Sequence, residues 1–200
     1  MDEFEIEEGL LIKYRGNDAS VIIPDGITSI GYSAFANCNC VEKILIPDGV
    51  TSIGYSAFKA CPNLKMVIIP ESVNTIADEA FKGCTALESI VLPAGLTFMG
   101  RWVFSGCTAL KVLAIPENVV SLGYSAFSGC TALESAIIPH GITELNDDVF
   151  SGCTSITIAH LSDSVTSIGK WAFKGCTALK SVNIPDGVKE VGEGAFSGCT

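Results

Sequence analysis

Positive charge is scarce in this sequence. Twelve lysines and arginines stand against 22 aspartates and glutamates, for a net charge of −10 over 200 residues. A protein of that sign has no basic face to neutralise phosphate, which argues against nucleic acid and anionic membrane and leaves basic or calcium-bridged partners open. Histidine is nearly absent: His140 and His160 stand alone, and they lack metal-ligand spacing. No serine or cysteine occupies a nucleophile motif, and no glycine-rich loop is placed to cradle phosphate. The expectation is a chain with no catalytic site, no metal site and no cofactor. Long apolar runs are lacking too, so no membrane insertion is expected of this stretch. The start, Met1-Asp2-Glu3-Phe4-Glu5, is acidic where a signal peptide would be basic and then apolar.

Cysteine is plentiful, but the close C-x₂-C pairs of zinc sites are missing. Eight of the nine cysteines, Cys38, Cys61, Cys84, Cys107, Cys130, Cys153, Cys176 and Cys199, recur every 23 residues. A phenylalanine stands three places before each: Phe35, Phe58, Phe81, Phe104, Phe127, Phe150, Phe173 and Phe196. An Ile-Pro or Leu-Pro pair keeps the same period at Pro24, Pro47, Pro70, Pro93, Pro116, Pro139 and Pro185, with Ser162 in the one missing place. Three residue types in phase without an insertion are the signature of a solenoid, whose turns stack and bury one another. The cysteines then form an interior column of reduced thiols that pack as small apolar side chains. Cys40 lies outside the column and has no assigned role.

Each turn reads as four sides. A strand such as Leu64–Ile69 turns Leu64, Val67 and Ile69 inward and Met66 and Ile68 outward. Proline ends it, because it has no N–H for the next turn. A polar bend comes next, then a second short strand such as Val50–Gly54. The last side, Tyr55–Cys61 and its equivalents, is expected to be a short helical turn, with glycines such as Gly83 and Gly106 at a left-handed exit. Residues 1–20 fall outside the period and read as an N-terminal β-hairpin cap with acidic Asp2, Glu3, Glu5, Glu7 and Glu8 on its outer side. Residues 21–200 are the solenoid, stopping within a repeat, as a trimmed fragment of a longer protein would.

The unit Leu64-x-x-Val67-x-Ile69-Pro70-x-x-Val73-x-x-Ile76-x-x-x-Ala80-Phe81-x-Gly83-Cys84 resembles the repeat of BspA-type leucine-rich repeat proteins, also called the Treponema pallidum class. The resemblance covers about residues 20–200. It departs at Ser162, at Val103 and Val149 before phenylalanine, and at Phe98-Met99. It implies an α/β repeat fold: a right-handed leucine-rich repeat solenoid with a parallel β-sheet on one side and a second strand ladder and helical turns on the other. It also implies a secreted or cell-surface location and a role in binding host matrix or other cells.

The candidate binding surface is the outward face of the first strand: Leu45, Met66, Ile68, Val91, Val112, Ile137, Ile158 and His160. A contiguous exposed apolar stripe marks a contact surface; equally, β-branched residues favour strands whatever the strand does. Beside it runs an acidic border, Asp25, Asp48, Glu71, Glu117, Asp163 and Asp186, open to calcium or a basic partner. Calcium wants six to eight oxygens and one acid per turn supplies few, so the alternative is a solubilising edge. Tyr32, Tyr55, Trp102, Tyr124 and Trp171 form an aromatic column that either stacks on sugar rings or packs over the small helix. These features point to a non-enzymatic protein- or glycan-binding module, with a structural spacer as the alternative.

Overall fold

The computed structural model describes residues 3–200; Met1 and Asp2 of the expected cap lie outside them. Strands β1 (Phe4–Glu7) and β2 (Leu10–Tyr14) form an antiparallel hairpin. Its turn is made by Glu8 and Gly9, both at positive φ. Two short strands per coil come after it: β3 (Ser20–Ile22) and β4 (Ser29–Ile30), β5 (Lys43–Leu45) and β6 (Ser52–Ile53), β7 (Met66–Ile68) and β8 (Thr75–Ile76). The next coil has only β9 (Phe98–Met99). Regularity returns with β10 (Ser135–Ile138) and β11 (Glu144–Leu145), β12 (Ile158–Leu161) and β13 (Ser167–Ile168), and β14 (Ser181–Asn183) and β15 (Glu190–Val191).

The strands stack in parallel with a 23-residue offset, so each residue pairs with its own counterpart, as Val21 with Ile44 and Ile44 with Val67. One ladder runs β3-β5-β7 and resumes as β10-β12-β14; the other runs β2-β4-β6-β8-β9 and resumes as β11-β13-β15. The hairpin joins the second ladder through β2, where Leu11 pairs with Ile30.

Register alignment turns the repeat into columns. Phe35 through Phe173 are fully buried, with neighbouring rings stacked 5.1 Å apart for Phe35–Phe58 and 5.7 Å for Phe104–Phe127. Tyr14 opens the column beneath Phe35 at 5.0 Å, a ring the period does not reveal. All nine cysteines are free thiols. Each column thiol from Cys61 onward donates to the carbonyl of the phenylalanine 26 residues earlier, for example Cys84 Sγ to Phe58 O at 3.1 Å. Burial pushes the thiols from Cys107 onward up, Cys130 to about 12, so they serve as neutral donors. A small apolar residue that also hydrogen-bonds the coil beneath explains why this column is cysteine and not alanine.

The expected helical turns are not there: no helix occurs among the described residues. Hydrogen bonding gives the reason. On the fourth side, alternate N–H groups go to different coils. Glu79, Phe81 and Gly83 donate to carbonyls of the next coil at Arg101, Val103 and Ser105, while Ala80, Lys82 and Cys84 donate three residues back. A helix would spend every N–H within its own turn and leave this side of the stack unbonded. The alternation needs two left-handed residues per coil. The predicted glycine position supplies one, as at Gly83 with φ 75°, and Asn37 and Ala60 adopt it as well. The second stands four places earlier at Ser33, Ser56, Glu79, Trp102, Ser125, Asp148 and Trp171.

Glu79 shows what holds such a residue. It is 7% exposed, and its carboxylate accepts from Lys59 Nζ at 2.6 Å, Lys82 Nζ at 2.8 Å and Ser56 Oγ at 3.2 Å. Lys59, then Lys82, hold its pKa down from 4.5 to about 2. A carboxylate depressed in the folded state stabilises fully above its unfolded value and loses that contribution as pH falls through the folded one. Because both lysines reach solvent, we expect about 1–2 kcal/mol. Relative to Glu79→Gln, the wild-type chain should be more stable at pH 7 by this amount, with the difference shrinking as pH falls from 4.5 to about 2. Denaturant melts at several pH values measure it; a difference independent of pH would show that the ion cluster contributes nothing.

Candidate binding face and its groove

The first ladder projects every second side chain into solvent. Met66, Ile68, Val91, Val112, Ile137 and Ile158 are exposed, from 42% at Ile68 to 79% at Val91, and His160 is exposed with them. Leu45 departs from the expectation: it is half-buried, paired in register between Ile22 and Ile68. Ile22 at 68% extends the apolar stripe beyond the residues singled out from sequence.

The acidic border lies along the same edge, and all six carboxylates are exposed. Two of them are partly engaged with the neighbouring coil: Glu71 Oε2 accepts from Ala94 N at 3.0 Å and Glu117 Oε2 from His140 N at 3.3 Å. Glutamate is long enough to reach the next bend. Among the described residues no group of three or more histidines, cysteines or acids is arranged to hold a metal ion.

Midway along the stack the face opens. In the regular coils a corner bond closes each strand, Ile23 N–H to Leu45 O and Ile46 N–H to Ile68 O. The equivalent bonds from Ile69 to Val91, Leu92 to Ala114 and Ile115 to Ile137 are not formed. Between 68 and 135 the ladder keeps a single bridge, Ser89 to Val112. The interior column beneath changes volume at the far end of this stretch. It runs Val21, Ile44, Val67, Ile90, Leu113, then Ala136 and Ala159. Where a leucine meets two alanines the coils cannot keep one spacing over matched volumes. Leu113 and Ile115 are accordingly only half-buried, whereas Ile44 and Ile46 are buried.

The result is a groove of about 660 Å³, floored by Leu113, Ile115, Ile137 and Ile138 and rimmed by Glu117, Ser135, His140, His160, Asp163 and Asn183. Both histidines, which the sequence places on different parts of the turn, come together here. Asn183 fixes the far end by donating to and accepting from the Leu161 main chain at 2.8 Å each. Ser162 occupies the missing proline's place and donates to Pro139 O at 3.0 Å.

The expected aromatic column is two columns. Tyr32, Tyr55 and Tyr124 share one, and Trp102 and Trp171 take the adjacent left-handed position. Tyr32 stacks on Tyr55 at 5.5 Å, while the tryptophan rings carry Lys82 at 5.3 Å and Lys174 at 5.6 Å, and Tyr124 carries Arg101 at 5.1 Å. These contacts pack the rings against their own protein.

Similarity to known proteins runs along the whole repeat. A family model described as the BspA type leucine rich repeat region (6 copies) matches residues 13–134 and 75–200. The chain belongs to the BspA-type leucine-rich repeat family. Its fold is that family's right-handed solenoid, as the solved structures it resembles indicate. A leucine-rich repeat protein from Bacteroides ovatus is 33% identical and superposes with a TM-score of 0.91, covering 100% of this chain and 56% of that one. The Treponema pallidum leucine-rich repeat protein is 28% identical with a TM-score of 0.76, covering 95% of this chain and 80% of that one. The chain thus spans little more than half the length of the Bacteroides protein. No curated protein sequence matches it. BspA-type membership places the chain among repeat modules of binding or structural role, and no helix among the described residues is long and apolar enough to cross a membrane.

Proposed function

We propose that this chain is a non-enzymatic binding module, the repeat region of a secreted or cell-surface adhesin, which engages an extracellular protein or glycan through its first-ladder face and acidic border. The observation that carries this reading is the contiguous apolar stripe from Ile22 through Val91 and Ile137 to Ile158, exposed on a face whose interior side is otherwise tightly packed. A monomer that merely spaced two other domains would gain nothing from keeping these side chains in water, where exposed apolar surface invites association. One acid per coil along one edge gives the face a sign as well as a shape.

The test is binding of the purified chain to a panel of extracellular-matrix proteins and glycans, with and without calcium, beside an Ile68→Asp, Ile137→Asp double variant of unchanged melting temperature. The wild type should bind at least one member, and the variant should lose roughly tenfold or more in affinity, as expected when about 1.4 kcal/mol of apolar contact is removed. Equal binding by both would move the site off this face, and binding by neither would favour a spacer.

A further inference from the structure

We infer that the groove between coils 111–116 and 134–139 takes an extended peptide segment with two basic side chains about three residues apart and an apolar residue between them. The inference rests on the reading of this face as a binding surface and specifies its ligand. Three observations converge on it.

Charge comes first. The groove lining includes the carboxylates of Glu117 and Asp163 and neither a lysine nor an arginine. Glu117 spends one oxygen on His140 N–H and keeps the other free. A cationic side chain entering here meets acid at both ends and no lysine or arginine, which sets both its approach and its register.

Geometry sets the spacing. Glu117 and Asp163 are counterparts two coils apart, separated by roughly 10 Å at a strand spacing of about 4.8 Å. An extended chain in the polyproline II conformation advances about 3.1 Å per residue with about three residues per turn, so basic side chains three positions apart share one face and match the two acids. The apolar floor between them, with Ile115 and Ile137, receives the intervening apolar side chain. The Ile137 carbonyl, left without its corner bond, adds a main-chain acceptor for a peptide N–H or ammonium group.

Aromaticity decides between peptide and sugar. Sugar rings are held by stacking on exposed aromatic faces. The groove lining contains no Phe, Tyr or Trp, and the tyrosines and tryptophans of the fourth side lie outside it. An apolar floor with an acidic rim suits a basic peptide.

The experiment pans a phage-displayed random peptide library against the wild-type chain, then measures enriched peptides by fluorescence polarisation against wild type and a Glu117→Gln, Asp163→Asn variant. Glutamine and asparagine keep the acceptor oxygens, including the one bonded to His140 N–H, so the fold is retained; melting curves confirm it. Enriched sequences should carry lysine or arginine pairs about three apart around an apolar residue, bind the variant about tenfold or more weakly, and weaken as salt is raised. Enrichment of acidic or neutral sequences, or equal affinity for the variant, would overturn the proposal, as would binding of a neutral oligosaccharide displaced by none of the peptides. If matrix proteins still bind in an Ile68→Asp, Ile137→Asp-sensitive way while the groove variant binds them normally, the binding face stands and the basic-peptide groove falls.

Discussion

Phe104→Ala should lower stability by roughly 3–5 kcal/mol, close to the upper end for a single buried side chain. Phe104 is fully buried, with Phe81 stacked at 5.4 Å on one side and Phe127 at 5.7 Å on the other. In a globular core, loss of one ring is partly relieved by collapse from several directions. A solenoid coil touches only its two neighbours, so the missing ring opens both interfaces at once. The surrounding strands are held by main-chain bonds in fixed register and cannot close the void. The thiol of Cys130, which donates to Phe104 O at 3.1 Å, keeps its main-chain partner, so the loss comes from packing alone. Phe196→Ala provides the comparison, because Phe196 is only half-buried and stacks on one ring, Phe173. It should destabilise by less than half as much. Denaturant unfolding of the two variants checks this: equal losses would show that stability is not a sum of neighbour contacts, and an unchanged Phe104→Ala would sink the register.

What could be read from the sequence is what repeats. Phe35 through Phe196 keep one spacing, and a column of identical rings has one way to stack. The first strand, the proline that ends it and the reduced cysteines come from the same regularity. The fourth side misleads because Ala80-Phe81 and Cys84, spaced as on a helix face, are buried equally well by a run of alternating turns. What decides between them is whether N–H groups bond within the coil or across coils, and the left-handed residues that record the choice are Ser33, Glu79 and Trp102. None of these is a residue type that announces positive φ. The face is legible in outline, because a period of two sends Ile68 and Ile137 outward. Its groove is not. It arises where Leu113 lies against Ala136, residues 23 positions apart whose volume mismatch matters only once they are stacked. Tyr14 is hidden for a related reason: it continues the phenylalanine column from a hairpin that does not share its spacing.

Gly123→Ala should destabilise by about 3 kcal/mol, the upper part of the usual range for overpacking. Gly123 stands just after the second ladder, at the point where each coil passes over the one below. A Cβ there would lie 2.3 Å from the carbonyl carbon and oxygen of Gly100 and 2.4 Å from Arg101 N. All three are main-chain atoms, so no rotamer change relieves the contact. The backbone must shift, and with it the bond from Gly123 N–H to Met99 O at 3.1 Å. Two other coils carry a side chain at this place, and at one of them Ala77 keeps its main-chain bond to Ile53 O at 2.9 Å. At the equivalent position of the coil after Gly123 stands Asn146, and there the main-chain bond to Leu122 O is replaced by one from the Asn146 side chain at 2.6 Å. The second ladder is interrupted at that step, between Leu122 and Leu145. Where the coils approach as closely as at Gly123, asparagine carries a donor to mend a lost bond and alanine does not. Gly123→Asn should therefore destabilise less than Gly123→Ala despite its larger side chain, an order that steric bulk alone would reverse. Gly26→Ala serves as a control, since its φ of +88° strains alanine but nothing lies within 4 Å of the added carbon. It should lower stability by only about 1 kcal/mol. Thermal melts of the three variants test the ranking. If Gly26→Ala and Gly123→Ala lose equally, backbone conformation and not coil-to-coil contact explains the glycines, and if asparagine is worse than alanine, the Asn146 bond is not a substitute for the ladder.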